Sequence, residues 1–206
     1  KSLNRAGIPV IILNREVAGG DYVCYTGVDT YKGAVGAAEI LMESLRGKGE
    51  IAELHQILGT APQILRTKAL NEVAKRHPDV KIVTRLLNEQ DRSKTISRTQ
   101  EALTRYPHLK GIYAHGDIEA MAAVMACEQA GRKDVKVVGM GGSEEAIKAI
   151  RAGRLAGSTY QQPYEEGRLG VKCALRHLKG EKLEKQILLD CPKITKDNAA
   201  EFKGQY

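Results

Sequence analysis

Short apolar runs alternate along the chain with longer stretches in which apolar residues recur at helical spacing. The first run, Val10-Ile11-Ile12-Leu13, is continuous, which suits a strand buried on both faces. It ends at Asn14-Arg15, where strand gives way to loop. Tyr22 to Val28 reads as a second extended segment, and Asp29 precedes a helix from Tyr31 to Leu45. Beyond Glu50 the alternation becomes regular. The pattern predicts strands over 51–57, 80–87 and 155–160, and helices ending at Arg76 and spanning 91–105, 144–152 and 163–178. Pro62 stands where a first helical turn tolerates it, and Pro78 and Pro107 stop what precedes them. Gln186 to Leu189 reads as a last strand and Thr195 to Phe202 as a last short helix.

The stretch from Lys110 to Gly142 is a complete strand–helix–strand unit. Gly111 to Ala114 is the apolar strand. Asp117 is placed to cap the following helix, in which Ile118, Met121, Val124 and Met125 recur at helical spacing. Val135 to Val138 begins the next strand. Both strands finish in polar or glycine-rich turns, His115-Gly116-Asp117 and Gly139-Met140-Gly141-Gly142. Alternating strand and helix with short connections predict parallel sheets with right-handed crossovers, an α/β architecture. In such sheets ligands sit outside the carboxyl ends of the strands, so these two turns should face one.

Composition narrows the class without fixing it. The 206 residues are 42% hydrophobic and 28% charged, ordinary for a globular chain. The net charge of +7 comes from basic residues interleaved with acids along helices, a solvated pattern rather than a nucleic-acid stripe. With no Trp and one Phe, platforms for stacking bases are scarce, and no nucleic-acid partner is expected. The opening KSLNRAGIPV is unlike a secretion signal and reads as the end of a helix running into a strand, as if the chain began inside a fold. The four cysteines, Cys24, Cys127, Cys173 and Cys191, form no C-x-x-C pair, and Cys127 and Cys173 sit in helical patterns as small apolar residues.

Candidate chemistry is sparse. The Gly139–Gly142 turn invites a dinucleotide reading, but Glu144 stands where the fingerprint needs its last glycine. No G-x-S-x-G elbow is present, and the five histidines show neither H-x-x-x-H nor H-E-x-x-H spacing, so neither catalysis nor a metal is expected. No cofactor is expected either. His77 and His108 flank prolines and read as solvated, whereas His55 and His115 lie at or near strand ends. Polar groups that strand ends could bring together are Asn14, Arg15, His55, Gln56, Glu89, Gln90, His115, Asp117 and Gln161. Amides, acids and one Arg suit a hydroxylated or zwitterionic small molecule. Solvation of turns is the plainer reading of each residue alone.

Several segments together resemble the sugar-type periplasmic binding proteins, the ribose- and galactose-binding family of solute receptors. They are RAGIPVIILNRE, VDTYKGAVGAAEIL, GKGEIAELHQILGT, GIYAHGDIEAMAA, KVVGMGGSEEAIKAIRAGRLAGSTYQQP and the ending LKGEK. The resemblance implies a type I fold of two Rossmann-like lobes joined by three crossovers, with ligand clamped between them. Residues 1–28 with 162–190 would form a partial N-terminal lobe, and 30–159 with 192–206 a complete C-terminal lobe. A partial lobe implies dimerisation or association with a preceding segment. The implied function is extracytoplasmic binding of a small, sugar-like ligand for a membrane transporter or sensor, without catalysis. Periplasmic, extracellular and lipoprotein placements all fit. The same fold serves as effector domain in LacI-type repressors, the alternative reading.

By resemblance the ligand-binding positions are Asn14, Arg15, Gln90, His115, Gly116, Asp117, Gly141 and Gln161. Asn14-Arg15 matches a family Asp-Arg, and Gln161 matches a family glutamine at the second crossover. Ile64 stands where a sugar-binding residue is frequent, and Gln90 where an aromatic often packs on the ring. Gly116 replaces a usual Asn, and Gly141 a usual Asp. Ribose contacts through those groups are therefore not expected, since each hydroxyl left unpaired costs about 1–3 kcal/mol.

Overall fold

The computed structural model describes residues 1–15, 17 and 19–204, so residues 205 and 206 of the expected C-terminal lobe lie outside the described residues. The chain divides into two compact units, residues 1–29 with 162–191 and residues 30–161 with 192–206.

In the larger unit four parallel strands lie in the order β4-β3-β5-β6: β3 (Gly49–His55), β4 (Val80–Leu87), β5 (Leu109–Ala114) and β6 (Lys136–Val138). Side chains alternate across the sheet because successive strand residues point to opposite faces. Ala52, Leu54, Ile112 and Ala114 pack with α4 (Arg92–Arg105), α5 (Asp117–Gln129) and α6 (Glu144–Arg151). Ile51 and Tyr113 instead join the cluster built on α2 (Thr30–Ser44) and α3 (Ala61–Ala74). The sheet is thus covered by helices on both faces, which explains its strands' near-continuous apolar runs.

Helix starts follow the local chemistry. Asp91 accepts from the Lys94 N–H, and Ser143 Oγ accepts from the Ala146 N–H. At α5 the outcome differs from expectation. Its N-cap is Gly116, and Asp117 makes no cap bond there. The Asp117 carboxylate instead accepts from the Ser143 N–H and the Ser158 hydroxyl, tying α5 to the start of α6. Ile118, expected to face inward, is 44% exposed.

The C-terminal part of this unit also departs from the sequence pattern. The strand expected over 155–160 is reduced to β7 (Ser158–Thr159), which pairs antiparallel with β9 (Lys193–Ile194). Thr195 to Phe202 holds only a 3-10 turn, Ala199–Glu201. Single bridges, Val138–Gly157 and Gly141–Tyr160, continue the pairing.

The smaller unit holds α1 (Ser2–Arg5), α7 (Pro163–Leu178) and a parallel sheet of order β1-β2-β8, with β1 (Ile11–Leu13), β2 (Cys24–Val28) and β8 (Gln186–Leu189). β2 is buried throughout because it is central. Within this chain β1 lies at one end of the sheet order, with Leu13 42% exposed. All four cysteines are buried, which for Cys127 and Cys173 fits their reading as small apolar residues.

Candidate functional site

The carboxyl ends of β3 and β5 carry polar side chains that the fold has buried. Glu53 and His55 are two residues apart on β3, so both point to the face that α3 covers. Glu53 lies beside Tyr113 in the β3–β5 register, and two residues beyond Tyr113, His115 stacks on His55 with ring centroids 4.8 Å apart. Glu53 and His115 are 0% exposed and His55 7%.

Glu53 anchors this group. Its Oε1 lies 2.9 Å from His115 Nε2 and 3.1 Å from His55 Nε2, and accepts from the Thr67 hydroxyl at 2.6 Å. Its Oε2 accepts from Arg85 Nε at 2.7 Å, and Arg85 also donates to Asn71. Burial alone would raise the Glu53 pKa. The hydrogen bonds from His115, His55 and Thr67 outweigh it and hold the carboxyl well below the usual range. Burial pushes His115 down to about 4 despite its bond to Glu53, so its ring is neutral at pH 7. His115 Nδ1 is buried without a partner. Glu53, His55 and His115 together offer metal-ligating atoms within 4.8 Å of one another.

A second group surrounds Gly116. Arg66 of α3 donates from Nη1 to Gln56 Oε1 at 3.0 Å and to the His115 carbonyl. Gln56 Nε2 donates to Glu119 Oε2 at 3.1 Å, while Glu119 Oε1 is buried with no partner. Burial raises the Glu119 pKa, and the Gln56 bond only partly offsets this. A Cβ at position 116 would lie 2.2 Å from Gln56 Nε2 and 2.6 Å from Glu119 Oε2. These two side chains therefore occupy the space that a side chain at 116 would use. Gly139 is required for another close approach, since its Cβ would come 2.5 Å from Asp117 Oδ1 and 2.9 Å from Ala120 Cβ. Packing thus accounts for the first glycine of a turn that invited a dinucleotide reading.

The strand-end loops carry apolar side chains above this polar layer. Ile57, Leu58, Ile64 and Ile118 are 41%, 54%, 55% and 44% exposed. A hollow of about 570 Å³ lies elsewhere in this unit. It opens at the amino ends of the strands among Lys48, Lys81, Lys110, Lys136 and Asp134.

The eight sequence-selected positions are distributed unevenly. His115, Gly116 and Asp117 are contiguous and buried at the β5–α5 turn. Asp117 is occupied by Ser143 and Ser158, and burial, the largest influence, raises its pKa. Gly141 pairs through its backbone: its N–H donates to the Thr159 carbonyl, and its carbonyl accepts from the Gln161 N–H. Gln161 is half-buried. Gln90 is exposed in the turn after β4, in a left-handed conformation with φ 62°.

Asn14 and Arg15 belong to the smaller unit and are both exposed. Asn14 donates to Glu166 Oε2 at 2.8 Å, and its carbonyl accepts from the Tyr25 hydroxyl. Glu53, Thr67 and Glu119 were not singled out from sequence. The spacing Glu53-x-His55 in an apolar strand was the available signal.

A family model described as periplasmic binding protein domain matches residues 1–182. The ribose import binding protein of Salmonella typhimurium (strain LT2) is 31% identical over 196 residues, covering 95% of this chain and 66% of its own length. The chain thus spans just under two thirds of that relative. An Actinobacillus succinogenes periplasmic solute binding protein solved with bound D-allose superposes with TM-score 0.93 at 27% identity, covering 98% of this chain and 74% of the other. A Bacillus halodurans solute binding protein solved with bound myo-inositol gives TM-score 0.90 at 27% identity, covering 97% and 70%.

Proposed function

This chain belongs to the periplasmic binding protein domain family, a family of solute-binding proteins, and from that premise we propose that its larger unit reads a small hydroxylated, sugar-like solute at the carboxyl ends of β3, β5 and β6. The observation that carries the reading is the Arg66–Gln56–Glu119 network beside Gly116, with a buried carboxylate oxygen left unpaired. An unpaired buried acceptor costs stability, and a solute hydroxyl brought to it recovers that cost. The exposed Ile57, Leu58, Ile64 and Ile118 suit the C–H face of a sugar or polyol ring. His115, Gly116, Asp117, Gly141, Gln161 and Gln90 then line or support that surface.

The solute need not be ribose. Gly116 and Gly141 bring no side chain where the family resemblance implies Asn and Asp, and Gln56 with Glu119 fills the first of those spaces. The relatives include proteins solved with D-allose and with myo-inositol, so ring polyols are the class to test first. Working outside the cytoplasm, the protein hands its solute to a membrane ABC transporter. The transport receptors among the relatives favour this over a repressor's effector domain.

Thermal-shift and calorimetric titration of the complete protein with ribose, D-allose and myo-inositol tests the reading. A solute at 100 times its Kd stabilises by about 2.7 kcal/mol. Arg66→Ala should weaken the bound member at least ~10-fold through loss of a charged hydrogen bond. Failure of all three, extended to related polyols, overturns the proposal.

A further inference from the structure

Glu53, His55 and His115 form a buried group of which the solute reading uses only His115. Their donor types, two imidazoles and a carboxylate, are those of transition-metal sites. The chain builds the arrangement at several levels. Strand alternation puts Glu53 and His55 on one face, and β3–β5 pairing brings His115 beside them. Arg85 and Asn71 hold the outer oxygen of Glu53, and Thr67 holds the inner one, as outer-shell partners orient a ligating carboxylate.

Polar atoms crowd around Oε1. His115 Nε2 and the Thr67 hydroxyl are hydrogen-bonded to it, and His55 Nε2 lies 3.1 Å from it and 3.5 Å from the Thr67 oxygen. The Nε2–Oε1 separations of 2.9 and 3.1 Å approach the edge of a tetrahedron of ligands about 2 Å from a central ion, about 3.3 Å. For Nε2 to ligate an ion, the ring proton it shows to Glu53 must leave it for Nδ1, so binding carries a change of tautomer.

We propose that Glu53, His55 and His115 form a buried binding site for a single transition-metal dication, with a water or solute atom completing its coordination. Arg66, whose charge reaches His115, opposes an ion held by charge alone. Affinity therefore rests on the nitrogen ligands, which favours Zn²⁺, Co²⁺, Ni²⁺ or Cu²⁺ over Ca²⁺ or Mg²⁺. The ion would tie β3 to β5 directly beneath the strand-end loops.

The test uses the complete protein, stripped with chelator and titrated with Zn²⁺ by calorimetry and with Co²⁺ by visible absorption. One equivalent is expected, with Ca²⁺ at least ~10-fold weaker. His55→Ala and His115→Ala should each weaken Zn²⁺ at least ~10-fold, and His77→Ala and His108→Ala should not. Because a core variant can misfold, imidazole NMR of the unaltered protein supplies the second readout: Zn²⁺ must shift the His55 and His115 ring signals. Absence of binding, Ca²⁺ binding as tight as Zn²⁺, or shifts confined to His77, His108 and His177 overturns the site.

Discussion

At the amino ends of the larger unit's strands, charged side chains stand in water around a hollow of about 570 Å³. Lys110 pairs with Asp134 at 2.8 Å, and both side chains are about half exposed. At the carboxyl ends, by contrast, Glu53, His55, Arg66, His115, Asp117 and Glu119 are all buried. Polar groups in water cost little, whereas the same groups buried cost several kcal/mol unless paired. A fold that retains so many buried polar groups at one end does so at the expense of stability. The difference teaches that buried polarity, part of it unpaired, is what sets the carboxyl ends apart.

The sharpest way to break this comparison is Glu53→Ala. It leaves two imidazoles, a hydroxyl and Arg85 without their acceptor, and should cost about 3–5 kcal/mol in urea denaturation. A loss below about 1 kcal/mol would show that the carboxyl-end network is no more consequential than surface charge.

Gly116→Ala comes next. The new methyl meets only the far ends of Gln56 and Glu119, which can swing aside by giving up their bond. The expected cost is about 1–3 kcal/mol, with a larger proportional loss of solute affinity measured by calorimetry. Unchanged affinity would separate Gly116 from the solute surface.

Glu119→Gln sharpens the comparison in the other direction, as a gain. Burial raises the folded-state pKa of Glu119 above its unfolded value. The folded protein thus holds this proton to higher pH than the unfolded chain does, and the penalty is absent below the unfolded pKa, about 4.3. It sets in as pH rises through the folded pKa. Removing the charge should therefore raise stability at pH 7 and leave it nearly unchanged below pH ~4, as compared by denaturant midpoints. An equal effect at both pH values would mean that Glu119 carries no ionisation penalty.

The smallest effect belongs to the amino end. Lys110→Ala removes a screened surface pair and should change stability by less than about 1 kcal/mol, with solute binding unaltered. Lost binding would move the site to that amino-end hollow.

The parallel α/β architecture was legible because buried parallel strands read as apolar runs between helix-patterned stretches. Val80–Leu87 and Pro163–Leu178 match the expected bounds. His55, Gln56 and His115 could be selected because they interrupt apolar strands near their ends. Glu53 could not, since a single charge in a strand ordinarily faces water. Its burial depends on donors from Thr67, Arg85 and His115, which are 14, 32 and 62 residues away. Asp117 was assigned to its own helix because capping is local, whereas its actual partners lie 26 and 41 residues downstream.

Amide hydrogen exchange of the complete protein, with and without saturating ribose, D-allose or myo-inositol, tests the central claim most directly. The account predicts solute-dependent protection at 55–58, 115–119 and 139–143, with 46–50 and 108–110 unaffected. Protection confined to those amino-end segments, or no change with any of the three solutes, would contradict it.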